Sequence, residues 1–270
     1  MQKLPNVKNI IAIASGKGGV GKSTTAVNLA IALHQIGARS GILDADIYGP
    51  SQPMMLGVKE RPNIRDKKMM APVLAHGVQS MSIGYLIDEN APMVWRGPMV
   101  SMALQQLLND THWDNLDYLI IDLPPGTGDI QLTLAQKIPV DGAIIVTTPQ
   151  DLALLDAKRA AEMFRKVHVP ILGVIENMSY HVCGKCGNEE HIFGEGGGKH
   201  LSEKYHIDFL GALPLDIQIR EQTDNGAPTV VANPDGSIAK IYRDIASITV
   251  DKFNSEKTAD KFPTIVIQND

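Results

Sequence analysis

Residues 16–23 read Gly-Lys-Gly-Gly-Val-Gly-Lys-Ser, and no other stretch restricts the fold so strongly. Gly16 and Gly21 enclose four residues and are followed by Lys22 and Ser23, the spacing of a loop that cradles phosphate groups. Ahead of it, Asn9–Ala14 is a short apolar run with three isoleucines, as expected of a buried parallel strand. Behind it, Ala26, Leu29, Ala30 and Leu33 recur at helical spacing. The loop is thus expected between a strand and a helix. Its glycines let backbone N–H groups turn toward phosphate oxygens, and the helix N-terminus adds a favourable dipole. Gly16, Lys17, Gly18, Gly19, Val20, Gly21, Lys22, Ser23 and Thr24 are the candidate contacts to a nucleotide such as ATP. Lys22 is expected to reach the β- and γ-phosphates, and Ser23 to offer its hydroxyl to Mg²⁺.

Two more strands end in acids. Ser40–Leu43 leads into Asp44-Ala45-Asp46, and Tyr118–Ile121 closes on Asp122. Open α/β sheets bind ligands beyond the C-terminal ends of their strands, so these carboxylates should face the nucleotide. Asp122 is expected to hold Mg²⁺-bound water or Ser23, and Asp44 to support the metal through water. Asp44 or Asp46 could instead cap or turn the segment Ile47–Ser51. Leu123–Asp129, rich in Pro and Gly, suits either a rigid turn or a segment that rearranges around a γ-phosphate.

Elsewhere strands and helices alternate. Pro72–Ile83 reads as a hairpin turning at His76-Gly77, and Val100, Ala103, Leu104, Leu107 and Leu108 mark a helix. Ala143–Thr147 precedes a helix whose apolar face is Leu152, Leu155, Met163, Phe164 and Val167. Ile171–Ile175, Phe209–Gly211 and a helix carrying Ile238, Ile241, Tyr242, Ile245 and Ile248 follow. The pattern predicts an α/β fold with one doubly wound, mainly parallel sheet and helices on both faces. One domain over residues 1–253 and a tail over 254–270 are expected. Eight of the 11 methionines fall between Met54 and Met102 and are read as core filling, with a re-packing partner surface as the alternative.

A net charge of −5 and a pI near 5.9 give no reason to expect nucleic acid as a partner. No run approaches the ~18 apolar residues of a membrane span, and Met1–Pro5 leads straight into the first strand, so a cytoplasmic protein is expected.

Cys183-Gly184-Lys185-Cys186 is the second centre. Alone, such a pair fits redox chemistry, metal binding or neither. Its surroundings, Glu176–Tyr180 before and Ile192–Gly198 after, are more telling. With the loop at 16–23, Asp44–Ser51, Trp95–Met99, Asp122–Asp129 and Leu213–Asp216, the chain closely resembles the Mrp family of iron–sulfur cluster carrier ATPases. The loop itself resembles the deviant form shared with MinD, ParA and the nitrogenase iron protein. That resemblance implies that Lys17 crosses a homodimer interface to the other subunit's nucleotide, although a solvated lysine is the bland reading. It further implies that Asp46 orients attacking water, Asn177 reads the adenine edge and the loop at Pro214 packs against the base. Lys17, Lys22 and Asp46 are therefore the catalytic candidates. Many members of the family have Pro where this chain has Gly184, which predicts a looser cysteine loop.

A [4Fe–4S] cluster takes four thiolates and this chain has two cysteines, so a protein-held cluster bridges two subunits through Cys183 and Cys186. The competing expectation is Zn²⁺ within one chain on His181, Cys183, Cys186 and His191. The resemblance implies an ATP-hydrolysing homodimer that receives a cluster from donors and passes it to apo-proteins. A nucleotide-switched positioning module and a cluster-dependent electron-transfer ATPase are the alternatives.

Overall fold

The computed structural model describes residues 3–65, 69–87 and 97–259. Among them, one eight-stranded sheet comprises β1 (Val7–Ala14), β2 (Ser40–Asp44), β3 (Val73–Ala75), β4 (Val78–Ser82), β5 (Leu116–Asp122), β6 (Gly142–Thr147), β7 (Ile171–Glu176) and β8 (Phe209–Ala212). The order across the sheet is β8-β7-β6-β1-β5-β2-β4-β3, and every neighbouring pair is parallel except β3–β4.

The helices are α1 (Lys22–Gln35), α2 (Gln52–Met55), α3 (Gly97–Asn109), α4 (Asp129–Lys137), α5 (Asp151–Lys166), α6 (Gly197–Tyr205), α7 (Ile217–Asp224), α8 (Thr229–Ala232) and α9 (Ser237–Ala259). Side chains alternate across a strand, which sorts the core into two layers. Ile10, Ala12 and Ala14 join α3, α4 and the C-terminal part of α5, whereas Ile11 and Ile13 join α1 and α9. The expected doubly wound fold is therefore present.

Helix α1 is apolar nearly all round and is buried from Thr25 to Leu33, wider than the single stripe its spacing suggested. It packs on α9, whose Tyr242 is fully buried. The hairpin turn falls at His76 (φ 50°) and Gly77 (φ 82°), two left-handed residues in succession, as a tight two-residue connection needs.

Three expectations change. On α5, Leu152 and Leu155 are exposed, and Ala153, Ala157, Ala160 and Ala161 bury with Met163 and Phe164 instead. Small residues let α5 sit close to the sheet, so the leucines beside them turn outward. Of the clustered methionines, Met81 is in the core while Met54, Met99 and Met102 are exposed. The last helix runs past the boundary expected at Phe253 to Ala259. Met93, Trp95, Arg96 and Thr264–Ile267 lie outside the described residues. Among the described residues, no helix is long and apolar enough to cross a membrane.

Candidate functional site

Parallel strands put their C-terminal ends on one edge, and the predicted site residues collect there. The loop after β1 is shaped by its glycines. Gly19 and Gly21 both have φ of 82°, a left-handed conformation that side chains disfavour. At Gly16 the constraint is space, because an added Cβ would lie 2.1 Å from the Asp156 backbone of α5. Lys22 opens α1, where the first N–H groups have no partner within the helix. Ser23 and Thr24 are partly buried, and Lys17, Gly18 and Gly19 are exposed.

Asp44 and Asp122 are partners in register between β2 and β5, so two carboxylates lie side by side, both fully buried. Such an arrangement survives only with counter-charge and donors. The Lys22 ammonium, itself 6% exposed, pairs with Asp122 Oδ1 and also donates to Ser23 Oγ at 3.1 Å. Asp44 accepts from the backbone N–H groups of Asp46 (3.1 Å), Ser51 (3.0 Å) and Gln52 (3.1 Å) and from Ser82 Oγ (3.1 Å). Burial, reinforced by Asp122, pushes the Asp44 carboxyl up to about 7. Asp46 is partly buried; burial raises its carboxyl, with Lys22 pulling the other way. Thus Asp44 does hold the turn after β2, the structural role left open for it, while remaining beside Asp122.

Gln52 was not foreseen. It is 1% exposed and donates Nε2 to Asp122 Oδ2 at 2.9 Å and to the Ser23 carbonyl at 3.3 Å. Its Oε1, like the Ser51 hydroxyl, is buried with no hydrogen-bond partner among the described residues. The signal in the sequence was a polar Ser-Gln pair just after the second acid, at the start of a helix. Gln52 Oε1, Ser23 Oγ and the Asp122 carboxylate are oxygen donors of the kind a hard cation such as Mg²⁺ takes. The segment after β5 reaches the residue just ahead of the phosphate loop through Gly126 N–H, which donates to the Ser15 carbonyl at 2.9 Å.

Asn177 follows β7 and donates Nδ2 to the Val20 carbonyl at 2.9 Å, within the phosphate loop. Pro214 is buried in a neighbouring segment. Leu213 N–H donates to the Glu176 carbonyl (2.8 Å), and Leu215 N–H to the Tyr180 carbonyl (2.7 Å). Asn177 and Pro214 are thus brought to one place.

The cysteines sit at the tip of a small antiparallel hairpin pairing His181–Val182 with Glu189–Glu190. Cys183 is partly buried and Cys186 exposed, and both are free. The Lys185 and Cys186 N–H groups, and then the Cys186 thiol, stabilise a thiolate at Cys183 and lower its pKa. His181 Nδ1 lies 2.9 Å from the Leu215 carbonyl and His191 Nδ1 2.9 Å from that of Ser179. Among the described residues, no three His, Cys, Asp or Glu side chains are grouped to hold a metal ion. The single-chain zinc set His181, Cys183, Cys186 and His191 is therefore not assembled.

Residues 6–250 match the family described as ParA, NUBPL iron-transfer P-loop NTPase. The chain belongs to this family. It is 64% identical over 245 residues to the iron–sulfur cluster carrier protein of Pseudomonas fragi, covering 90% of this chain and 85% of that one. The carrier protein of the same name from Escherichia coli (strain K12) is 60% identical over 241 residues, covering 89% of this chain; the chain spans 65% of that relative. The iron–sulfur cluster transfer protein NUBPL of Mus musculus is 49% identical over 254 residues, covering 93% and 80%. Among solved structures, an Archaeoglobus fulgidus nucleotide-binding protein in complex with ADP superposes with a TM-score of 0.76 at 36% identity, covering 88% and 93%. Pyrococcus furiosus MinD superposes at 0.66 with 23% identity, covering 91% and 99%, a likeness of fold alone.

Proposed function

We propose that this P-loop NTPase hydrolyses ATP as a homodimer and carries an iron–sulfur cluster, bound between two copies, to apo-protein acceptors. One observation carries the reading: two free thiols stand on a surface hairpin at the strand edge that also holds the phosphate loop. A thiol pair on the surface, with no third ligand grouped beside it among the described residues, suits a cargo that a second copy completes with two more thiolates.

On ATP binding, Lys22 shifts from Asp122 to the β- and γ-phosphate oxygens, and the turn 16–21 supplies its N–H groups. Ser23 and Asp122, with Asp44 and Gln52 behind them, would hold Mg²⁺, which neutralises phosphate charge. Asp46 orients the water that attacks the γ-phosphorus, releasing ADP and phosphate. Lys17, exposed on the loop, reaches the nucleotide of the other subunit. Asn177 and Pro214 bracket the adenine.

The deciding experiment is anaerobic reconstitution with iron and sulfide, followed by counting both against subunit mass. Four iron and four sulfide per dimer, lost in Cys183→Ala, are expected. One zinc per monomer with no sulfide, or full iron in the Cys183→Ala variant, would overturn the bridging cluster. Phosphate release measured on the same preparation, absent in Lys22→Ala, tests the hydrolytic half.

A further inference from the structure

The cysteine hairpin is suspended between two fixed points, and one buried carboxylate holds both. The chain leaves β7 at Glu176, enters the hairpin through Ser179 and returns at Gly197–Gly198, the first turn of α6. Glu176 is 1% exposed. Ser179 Oγ donates to its Oε1 at 2.5 Å, and Gly198 N–H donates to its Oε2. The approach is close enough that a Cβ at position 198 would lie 2.9 Å from Glu176 Cβ and 3.0 Å from Oε2. The next residue faces the other way. Asn177 holds the Val20 carbonyl, and a Cβ at Gly21 would stand 2.1 Å from Asn177 Nδ2. The Glu176 and Ser179 backbones are further tied through Leu213, which donates to the first (2.8 Å) and accepts from the second (2.9 Å).

We infer that the dipeptide Glu176-Asn177 links the phosphate loop to the cysteine hairpin, with Glu176 as the positioning residue that makes both hairpin stems move as one. Its biological meaning rests on the function proposed above, but the link itself needs no cluster. Phosphates that re-seat the Val20-Gly21 backbone shift Asn177, and the shared peptide carries that shift to Glu176. A buried carboxylate bonded to both stems cannot follow without taking Ser179 and Gly198 with it. Such coupling requires that the nucleotide interact differently with two hairpin positions, and by reciprocity the hairpin's state then alters nucleotide affinity.

The test reads thiol reactivity, not cluster transfer. Alkylation of Cys183 and Cys186 by iodoacetamide is timed on the whole chain, metal-free, with and without a non-hydrolysable ATP analogue and Mg²⁺. In the wild type the analogue should change the rate by about fivefold or more, the lower end of ordinary coupling. In Glu176→Gln the change should fall below about twofold while the analogue's Kd stays within about twofold, because Gln offers one oxygen to two donors. Ser179→Ala, which removes one stem's bond and leaves the Glu176 side chain in place, should weaken the response partway; it provides the reading if Glu176→Gln does not fold. The two substitutions together should be less than additive. An unchanged nucleotide response in either variant, or no response in the wild type, would overturn the link. A responsive wild type that takes up no cluster would instead refute the carrier function and leave the link standing.

Discussion

Replacing Lys22 should cost the protein stability as well as phosphate binding. The Lys22 ammonium and the Asp122 carboxylate are 6% and 0% exposed, so each is the other's main compensation for lost water. Removing one member of a buried pair leaves an unmatched charge, which typically costs about 3–5 kcal/mol. Gln52 Nε2 still donates to Asp122 and softens the loss. The lost interaction is therefore a large part of the ~5–15 kcal/mol that holds such a domain together. In Lys22→Met, a residue that keeps most of the volume, the melting temperature should fall by roughly 6–20 °C. The assay is urea unfolding without nucleotide or Mg²⁺, so that no ligand linkage enters. Lys22→Met with Asp122→Asn removes both charges and should recover most of the loss. A single variant within about 1 kcal/mol of wild type would refute the reasoning, as would a double variant no better than the single.

Asp46→Asn should bind ATP normally yet release phosphate about 10²–10⁴-fold more slowly, the usual worth of a group that positions and activates a nucleophile; wild-type turnover would remove Asp46 from the mechanism. Cys183→Ala and Cys186→Ala should lose reconstituted iron and sulfide with little change in melting temperature, because the hairpin tip contributes nothing to the core clusters. Loss of nucleotide binding in either would show that the hairpin is structural. Asp117 binds Arg39 and Lys8 at the opposite edge of the sheet, and those partners, Arg39 first, hold its carboxyl well below the usual range. Its stabilisation is present above the unfolded pKa and fades as pH falls below about 4 toward the folded value. Asp117→Asn should therefore be less stable than wild type by up to about 1 kcal/mol at neutral pH, a surface-pair magnitude, with the gap closing in acid; a gap that widens in acid would reverse the argument.

The parts of the site legible in the sequence are those whose chemistry is local. A left-handed turn at Gly19 and Gly21 and a lysine on the first turn of a helix are imposed within ten residues, so the spacing carries them. The hairpin at His76-Gly77 was readable for the same reason. The core was legible where burial follows a simple period, as in β1, and not where close packing inverts it. On α5 the leucines had the stronger hydrophobic signal, yet alanines occupy the interface because they allow the helix nearer the sheet.

What stayed hidden depends on register between distant segments. Nothing local marks Asp44 and Asp122 as neighbours 78 positions apart; a one-residue slip of β2 against β5 would separate them. Gln52 has meaning only once that pair exists, since its amide serves one carboxylate while its backbone serves the other. Glu176 is the sharpest case. As a sequence element it precedes an asparagine that resemblance singles out, and by itself it reads as the end of a strand. In the fold its two oxygens meet donors from both ends of the cysteine hairpin, 3 and 22 residues onward. A carboxylate is kept dry at that position only if both donors arrive, because either one left unpaired would cost more than the bond contributes. The same accounting explains Gly198, whose missing Cβ is what lets the second donor reach. Glu176 stands between the two candidate centres without belonging to either, and such a residue becomes visible only when the strand ends are placed side by side.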